Sequence, residues 1–261
     1  MIPTQDPIIS TAAPGAIQPA QGAIQPSADV QQMFNAIANR YDVMNHVLSA
    51  GIDRLWWWRA ARAVRTVLAD PSAQIVDLCC GTGDMTLALL KRRPSTSSTA
   101  PLLAVDFSHE MLTRGQAKFN GKNIIAVECD ALHLPLPQGN VDLISSAFGF
   151  RNLSSYEDGL AELFRVLRPG GQIAILECNQ PAGLVGALYN LYFKKILPRI
   201  GALFSNAEAY SYLPASVERF PRPPRMLELI HNAGFVQASW TSYTLGVAGL
   251  YQATKPVPSQ A

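Results

Sequence analysis

The residues best suited to chemistry sit where short apolar runs stop. The run "IVDLCCGTGD" carries Asp77 and then a turn containing Gly81, Thr82 and Gly83. Glycine has no Cβ, so a turn built on it lets a ligand come close to the backbone. The run "LLAVD" stops on Asp106, and an acid at the end of the second strand of an alternating α/β chain binds ribose hydroxyls. The run "NIIAVECDA" stops on Asp130–Ala131. A carboxylate there is placed to accept from an adenine amino group; the plain structural alternative is a solvated strand end or a helix cap. The run "VDLISSAFGFRN" passes Ala147 and stops on Arg151–Asn152, two strong hydrogen-bonding side chains at the end of an apolar segment.

A glycine turn followed by an acid serves several nucleoside cofactors. A dinucleotide fingerprint needs a third glycine at position 86, where this chain has Thr86. The turn has no Lys-Ser/Thr pair, so it is not a phosphate-cradling P-loop. A cofactor without phosphates, S-adenosyl-L-methionine, fits this turn better.

These positions need a scaffold. From "QIVDLCC" to "QIAILEC", apolar strand-like runs alternate with helical ones. That pattern argues for a parallel sheet covered on both faces. The fold class expected is α/β: a Rossmann-like, doubly wound, mostly parallel sheet with helices on both faces. "SYEDGLAELFRVLRPGG" reads as a helix closed at Pro169–Gly171. Two helices precede the alternation, the first from a cap at Asp29, the second over "DRLWWWRAARAVRTVLA". A helical insertion follows the fifth strand, over residues 181–225, and is placed to form a substrate-side lid. "VQASWTSYTL" and "GVAGLYQATK" read as a closing pair of strands. Residues 1–28 are rich in Pro, Ala and Gln and repeat "GAIQP", which reads as a disordered leader. The folded domain then spans 29–255, with a tail over 256–261.

Composition narrows the classes. The chain has 261 residues, 48% hydrophobic and 15% charged, with a formal net charge of +2. That allows one large domain or two small ones with a substantial core, and argues against a nucleic-acid partner. Cys79, Cys80, Cys129 and Cys178 have neither zinc nor disulfide spacing, which favours a reducing cytoplasmic setting. His46, His109, His133 and His231 are scattered, so no metal site is expected. No apolar run is long enough for a transmembrane helix. The consecutive Trp56, Trp57 and Trp58 cannot share one helix face. With the aromatic, lysine-containing insertion they suggest a peripheral membrane contact; core packing with an oligomer contact, such as a homodimer, is the plain alternative.

Several motifs together carry a resemblance. "RYDVMNHVLSAGIDRLWWW", "VDLCCGTGD", "FGFRNL", "RVLRPGG", "AILEC" and "LPRIGALFSNAEAYSYLPASVERFP" follow one another in order. In this the chain resembles the ubiquinone/menaquinone biosynthesis C-methyltransferases, within the class I S-adenosylmethionine-dependent methyltransferases, over roughly residues 30–255. The resemblance implies methyl transfer from S-adenosylmethionine to a ring carbon of a polyprenylated quinol. Demethylmenaquinol is the first expectation and the methoxy-benzoquinol of ubiquinone biosynthesis the second. Two departures stand out: Ala147 where many members have Ser or Gly, and Cys79–Cys80 where several carry smaller residues.

Such a transfer is an in-line displacement at a sulfonium methyl, and the leaving group departs neutral. The protein must align the methyl with the carbon and make that carbon nucleophilic. A quinol carbon becomes nucleophilic when an adjacent hydroxyl loses its proton. Arg151 is therefore expected to bind the developing phenolate, and Asn152 to orient the ring or a water. The structural alternative is a salt bridge from Arg151 and a helix cap from Asn152, although Ser154 or Ser155 could take the cap. Tyr41, Tyr210 and Tyr212 are candidates to line the quinol pocket, with core packing as their alternative.

Overall fold

Residues 75–78 read Ile-Val-Asp-Leu, and all four are buried. A strand that hides both its faces needs helices on both sides, and the computed structural model supplies them. It describes residues 51–96, 99–181 and 214–258, with isolated positions at 31, 32, 35, 49, 183, 186 and 187. The strands are β1 (Ile75–Leu78), β2 (Leu102–Asp106), β3 (Ile124–Glu128), β4 (Val141–Ala147), β5 (Leu167–Cys178), β6 (Val236–Tyr243) and β7 (Ala248–Thr254). They form one sheet in the order β3-β2-β1-β4-β5-β7-β6. The first five pair in parallel, and β7 joins β5 and β6 antiparallel. The chain runs outward from β1 to β3 and then returns to place β4 on the other side of β1. The switch point, where ligands bind in such sheets, thus lies between β1 and β4.

The helices are α1 (Asp53–Ala63), α2 (Arg65–Leu68), α3 (Asp84–Leu90), α4 (His109–Phe119), α5 (Tyr156–Val166), α6 over 214–219 and α7 (Pro223–Asn232). Strand alternation sorts the core between the two faces. Val76, Leu78, Ile173 and Ile175 pack with Leu160 and Leu163 of α5 and Met226 and Ile230 of α7. Ile75, Ala174 and Leu176 pack on the other face with Trp56 and Ala60 of α1 and Met85 and Leu89 of α3. The three tryptophans divide as their helix geometry demands. Trp56 is buried, Trp57 is half-buried and Trp58 is exposed.

The helix read through "RVLRPGG" ends earlier, at Val166. Leu167 already pairs with Val141, and Pro169 biases the preceding Arg168 to extended backbone. The next pair in register is Leu143 with Gln172, so a bulge absorbs the extra residues. Gly170 and Gly171 exchange backbone bonds with Lys255 at 2.9 and 2.8 Å, which ties this bulge to the residue after β7. The leader lies outside the described residues, as does most of the insertion. Among the described residues no helix is long and apolar enough to cross a membrane, and no cluster of His, Cys, Asp and Glu could hold a metal ion.

Candidate active site

A cleft of about 700 Å³ opens at the carboxyl ends of β1, β2 and β4. Its wall includes Gly81, Asp106, Asp130, Ala131, Phe148 and Asn152. Among the described residues, Asp106 and Asp130 are the only charged side chains in that lining, so it favours a ligand that carries positive charge. The lining thiols are neutral: burial raises Cys79 well above its ordinary value and Cys129 to about 11.

Asp77, the third of the four buried residues of β1, is fully hidden. Its Oδ2 accepts from the Thr86 hydroxyl at 2.6 Å, and its Oδ1 has no partner. Burial pushes its pKa up to about 7. The residue that breaks the dinucleotide fingerprint, Thr86, is thus the donor that holds this acid. Asp106 is buried too. Its Oδ2 accepts from Gly81 N and its Oδ1 from Ser108 N, at 2.8 and 2.9 Å. Each oxygen keeps a second lone pair. Burial lifts the Asp106 pKa to about 6 against the backbone bonds from Ser108, Gly81 and Phe107.

The turn glycines do different jobs. Gly81 has φ +55°, and a Cβ built there would meet nothing within 4 Å. It offers open space. Gly83 has φ +89°, and a Cβ there would fall 2.2 Å from Phe119 Cε1. It makes room for α4 instead and does not line the cleft. Thr82 is likewise buried behind the wall, with Lys118 Nζ donating to its hydroxyl at 3.0 Å. Ala147 packs toward the α1 face of the core. The lining at that strand end comes from its neighbours Phe148 and Gly149.

Asp130 faces the cleft, and its Oδ1 accepts from Leu132 N at 2.9 Å within its own turn. Ala131 is buried in the same wall. Gln31 donates to Phe107 O, and Asn35 accepts from the Ser108 hydroxyl at 2.6 Å. Residues N-terminal to α1 therefore meet the rim beside Asp106. Tyr41, Tyr210 and Tyr212 lie outside the described residues.

Arg151 and Asn152 part company. Asn152 lines the cleft, whereas Arg151 is buried and absent from the lining. Arg151 NH1 lies 2.9 Å from Glu177 Oε2 and also donates to Phe148 O; its Nε donates to Ser216 Oγ at 3.3 Å. The Arg151 backbone N–H donates to Glu177 Oε1 at 3.0 Å. Ser155, not Asn152, caps α5 by accepting from Asp158 N at 3.1 Å.

Glu177 escaped the reading of the sequence. It is fully buried at the end of β5, and its signal was an acid closing the apolar run "AILE", the same signal carried by Asp77 and Asp106. The strain beside the cleft was also missed. Cys79 and Phe148 are left-handed at φ 53° and 59° without being glycine, a costly conformation that concentrates at functional sites. Gly149 lies against Cys79: a Cβ on it would fall 2.3 Å from the Cys79 Cβ.

Residues 23–255 match the ubiE/COQ5 methyltransferase family. The chain belongs to that family. A demethylmenaquinone methyltransferase of Deinococcus radiodurans is 44% identical, with 87% of this chain and 92% of that protein covered. One from Thermus thermophilus is 42% identical over 86% of this chain and 100% of the other. A ubiquinone/menaquinone biosynthesis C-methyltransferase UbiE of Geotalea daltonii is 40% identical over 87% and 96%. The fold is shared more widely among solved structures. A SAM-dependent methyltransferase from Aquifex aeolicus superposes with a TM-score of 0.56 at 19% identity, covering 77% of this chain and 92% of that one. In this ubiE/COQ5 member the cleft at the switch point is the candidate active site.

Proposed function

We propose that this methyltransferase moves a methyl group from S-adenosyl-L-methionine to a ring carbon of demethylmenaquinol, the step that yields menaquinol. One observation carries the reading: among the described residues the switch-point cleft is lined by acids and no cation, within a chain that matches the ubiE/COQ5 methyltransferases across residues 23–255. The residues present suit the cofactor. Asp77 buries a carboxylate oxygen with no partner, Gly81 leaves open space, and Asp106 keeps free lone pairs. Bound there, S-adenosylmethionine supplies an electrophilic methyl on a positively charged sulfur.

The chain's own residues do the rest. Asp106 would hold the ribose hydroxyls, with Asp130 and Ala131 at the adenine. Buried acids also favour the positive sulfonium over the neutral thioether left after transfer. Asn152 would hydrogen-bond the quinol hydroxyl, or a water that carries its proton away. Arg151 takes a positioning role in this reading. Its guanidinium is matched by Glu177 and tied to Phe148 O, so it braces the turn that presents Phe148, Gly149 and Asn152.

The name shared by the Geotalea relative favours a second substrate, the 2-polyprenyl-6-methoxy-1,4-benzoquinol of ubiquinone biosynthesis. Incubating the pure chain with labelled S-adenosylmethionine and each reduced quinone separates the two. A label on a ring carbon of the naphthoquinol alone fixes the first reading; label on both makes the enzyme dual. Label on neither, with cofactor bound, overturns the substrate.

A further inference from the structure

The outer face of α1 has a composition that the methyl-transfer reading does not use. Leu55, Trp58, Arg59 and Arg62 fall at i, i+3, i+4 and i+7, so they share one side of the helix, and Arg65 follows them into α2. Leu55 is 52% exposed and Trp58 47%, with Ile52 at the edge at 38%. Trp56, Ala60 and Ala61, on the opposite side, are buried in the core. Trp58, Arg59, Arg62 and Arg65 line one shallow groove with Tyr243. Arg62 and Arg92 each hold a guanidinium 5.2 Å from the centre of the Trp58 ring, and Arg59 lies 4.2 Å from that of Tyr243. Arg59, Arg62 and Arg65 have no ion-pair partner among the described residues. A run of arginines on a chain whose net charge is only +2 is a local concentration of charge, not a general excess.

We propose that this face docks the protein onto an anionic phospholipid surface. The chemistry matches on both counts. An exposed Leu–Trp ridge partitions to the boundary between headgroups and acyl chains, where tryptophan is favoured. The flanking guanidiniums meet phosphate oxygens while their stems lie along the apolar ridge. A second copy of the same face would set arginine against arginine, which argues against self-association through it. The near-neutral whole argues against a nucleic-acid groove.

The face is also coupled to the cleft. Trp56, one helix width away on α1, donates to the Thr244 hydroxyl at 2.8 Å, and its ring lies 5.8 Å from that of Phe148, which lines the cleft. Docking through α1 would therefore hold the cleft close to the bilayer. This deepens the quinol reading, since a polyprenyl chain resides in lipid, and it rests on that reading only for its purpose.

The test is sedimentation of the full chain with two kinds of vesicle, pure phosphatidylcholine and phosphatidylcholine mixed with phosphatidylglycerol, without quinol. Binding is expected to the anionic vesicles only and to weaken at high salt. Each arginine near such a surface contributes roughly a fivefold factor. The triple variant R59Q/R62Q/R65Q should therefore lose on the order of a hundredfold in partitioning. Trp58→Ala should lose less, with the melting temperature of both variants unchanged. Methylation of a short-chain, water-soluble quinol should be unaffected by the triple variant, while methylation of a long-chain quinol held in anionic vesicles falls. Equal binding to neutral vesicles, undiminished binding by the triple variant, competition by soluble glycerophosphate at millimolar concentration, or a dimer that the same substitutions dissolve would each overturn the proposal. Vesicle binding that persists in a protein methylating neither quinol would leave this inference standing and remove the substrate reading.

Discussion

The two halves of the sheet's carboxyl edge treat buried acids in opposite ways. At the β4–β5 end, Glu177 is fully buried and faces Arg151 at 2.9 Å, so its charge is matched inside the protein. At the β1–β2 end, Asp77 and Asp106 are buried with no cation beside them among the described residues, and burial lifts their pKa values to about 7 and about 6. Desolvating a carboxylate without compensation is costly, so an unmatched pair is kept only where something else supplies the charge. The matched end is framework: it holds the Phe148–Asn152 turn in its left-handed start. In the proposed reading, the unmatched end is a site that a cationic ligand completes.

Substitutions that invert either arrangement should be told apart by what they cost. The largest effect is expected from Glu177→Gln, which strands a buried guanidinium. Removing one partner of a buried pair costs about 3–5 kcal/mol. At roughly 2–4 °C per kcal/mol, that lowers the melting temperature by on the order of 10 °C in a thermal scan. Asp106→Asn should leave the fold standing and weaken S-adenosylmethionine binding by roughly 10–100-fold by calorimetry, the scale of one or two charged hydrogen bonds. Gly149→Ala puts a methyl where the Cys79 Cβ already lies, 2.3 Å away. It should cost about 1–3 kcal/mol in a denaturant titration and shift the cleft wall with it.

The smallest effect has the opposite sign. Asp77 has a folded pKa of about 7, above the ordinary 3.8. Its contribution to stability is therefore fully present below about pH 4 and is lost as pH rises through 7. Asp77→Asn keeps an acceptor for Thr86 and removes that loss. Without cofactor, the variant should melt above the parent at pH 8 and alongside it at pH 4, while binding cofactor more weakly. A lower melting temperature at pH 8 would mean that Asp77 is satisfied after all.

The sequence made the unmatched end legible because its signals are local. Short runs such as Ile75–Leu78, bounded by a glycine turn, read as strands covered on both faces, and an acid within the last residues of such a run lies near the strand end. The matched end was hidden because its logic is not local. Arg151, in the turn just after β4, and Glu177, near the end of β5, are 26 residues apart, and they meet only through the register of β4 on β5. The same holds for Gly83, which is small because Phe119 of α4 needs the space. The early end of α5 escaped notice because a bulge let Leu167 pair before Pro169 and the glycines were passed.

The measurement that bears most directly on the unmatched acids is the affinity of the intact chain for S-adenosylmethionine as a function of pH, by calorimetry between pH 5 and 7.5. One molecule should bind per chain, with affinity rising as Asp106 and Asp77 ionise through pH 6–7, and with proton release recorded in buffers of different ionisation heat. An affinity flat across that range, or no binding at all, would contradict a cleft in which Asp106, with the hidden Asp77 behind the wall, awaits a positively charged cofactor.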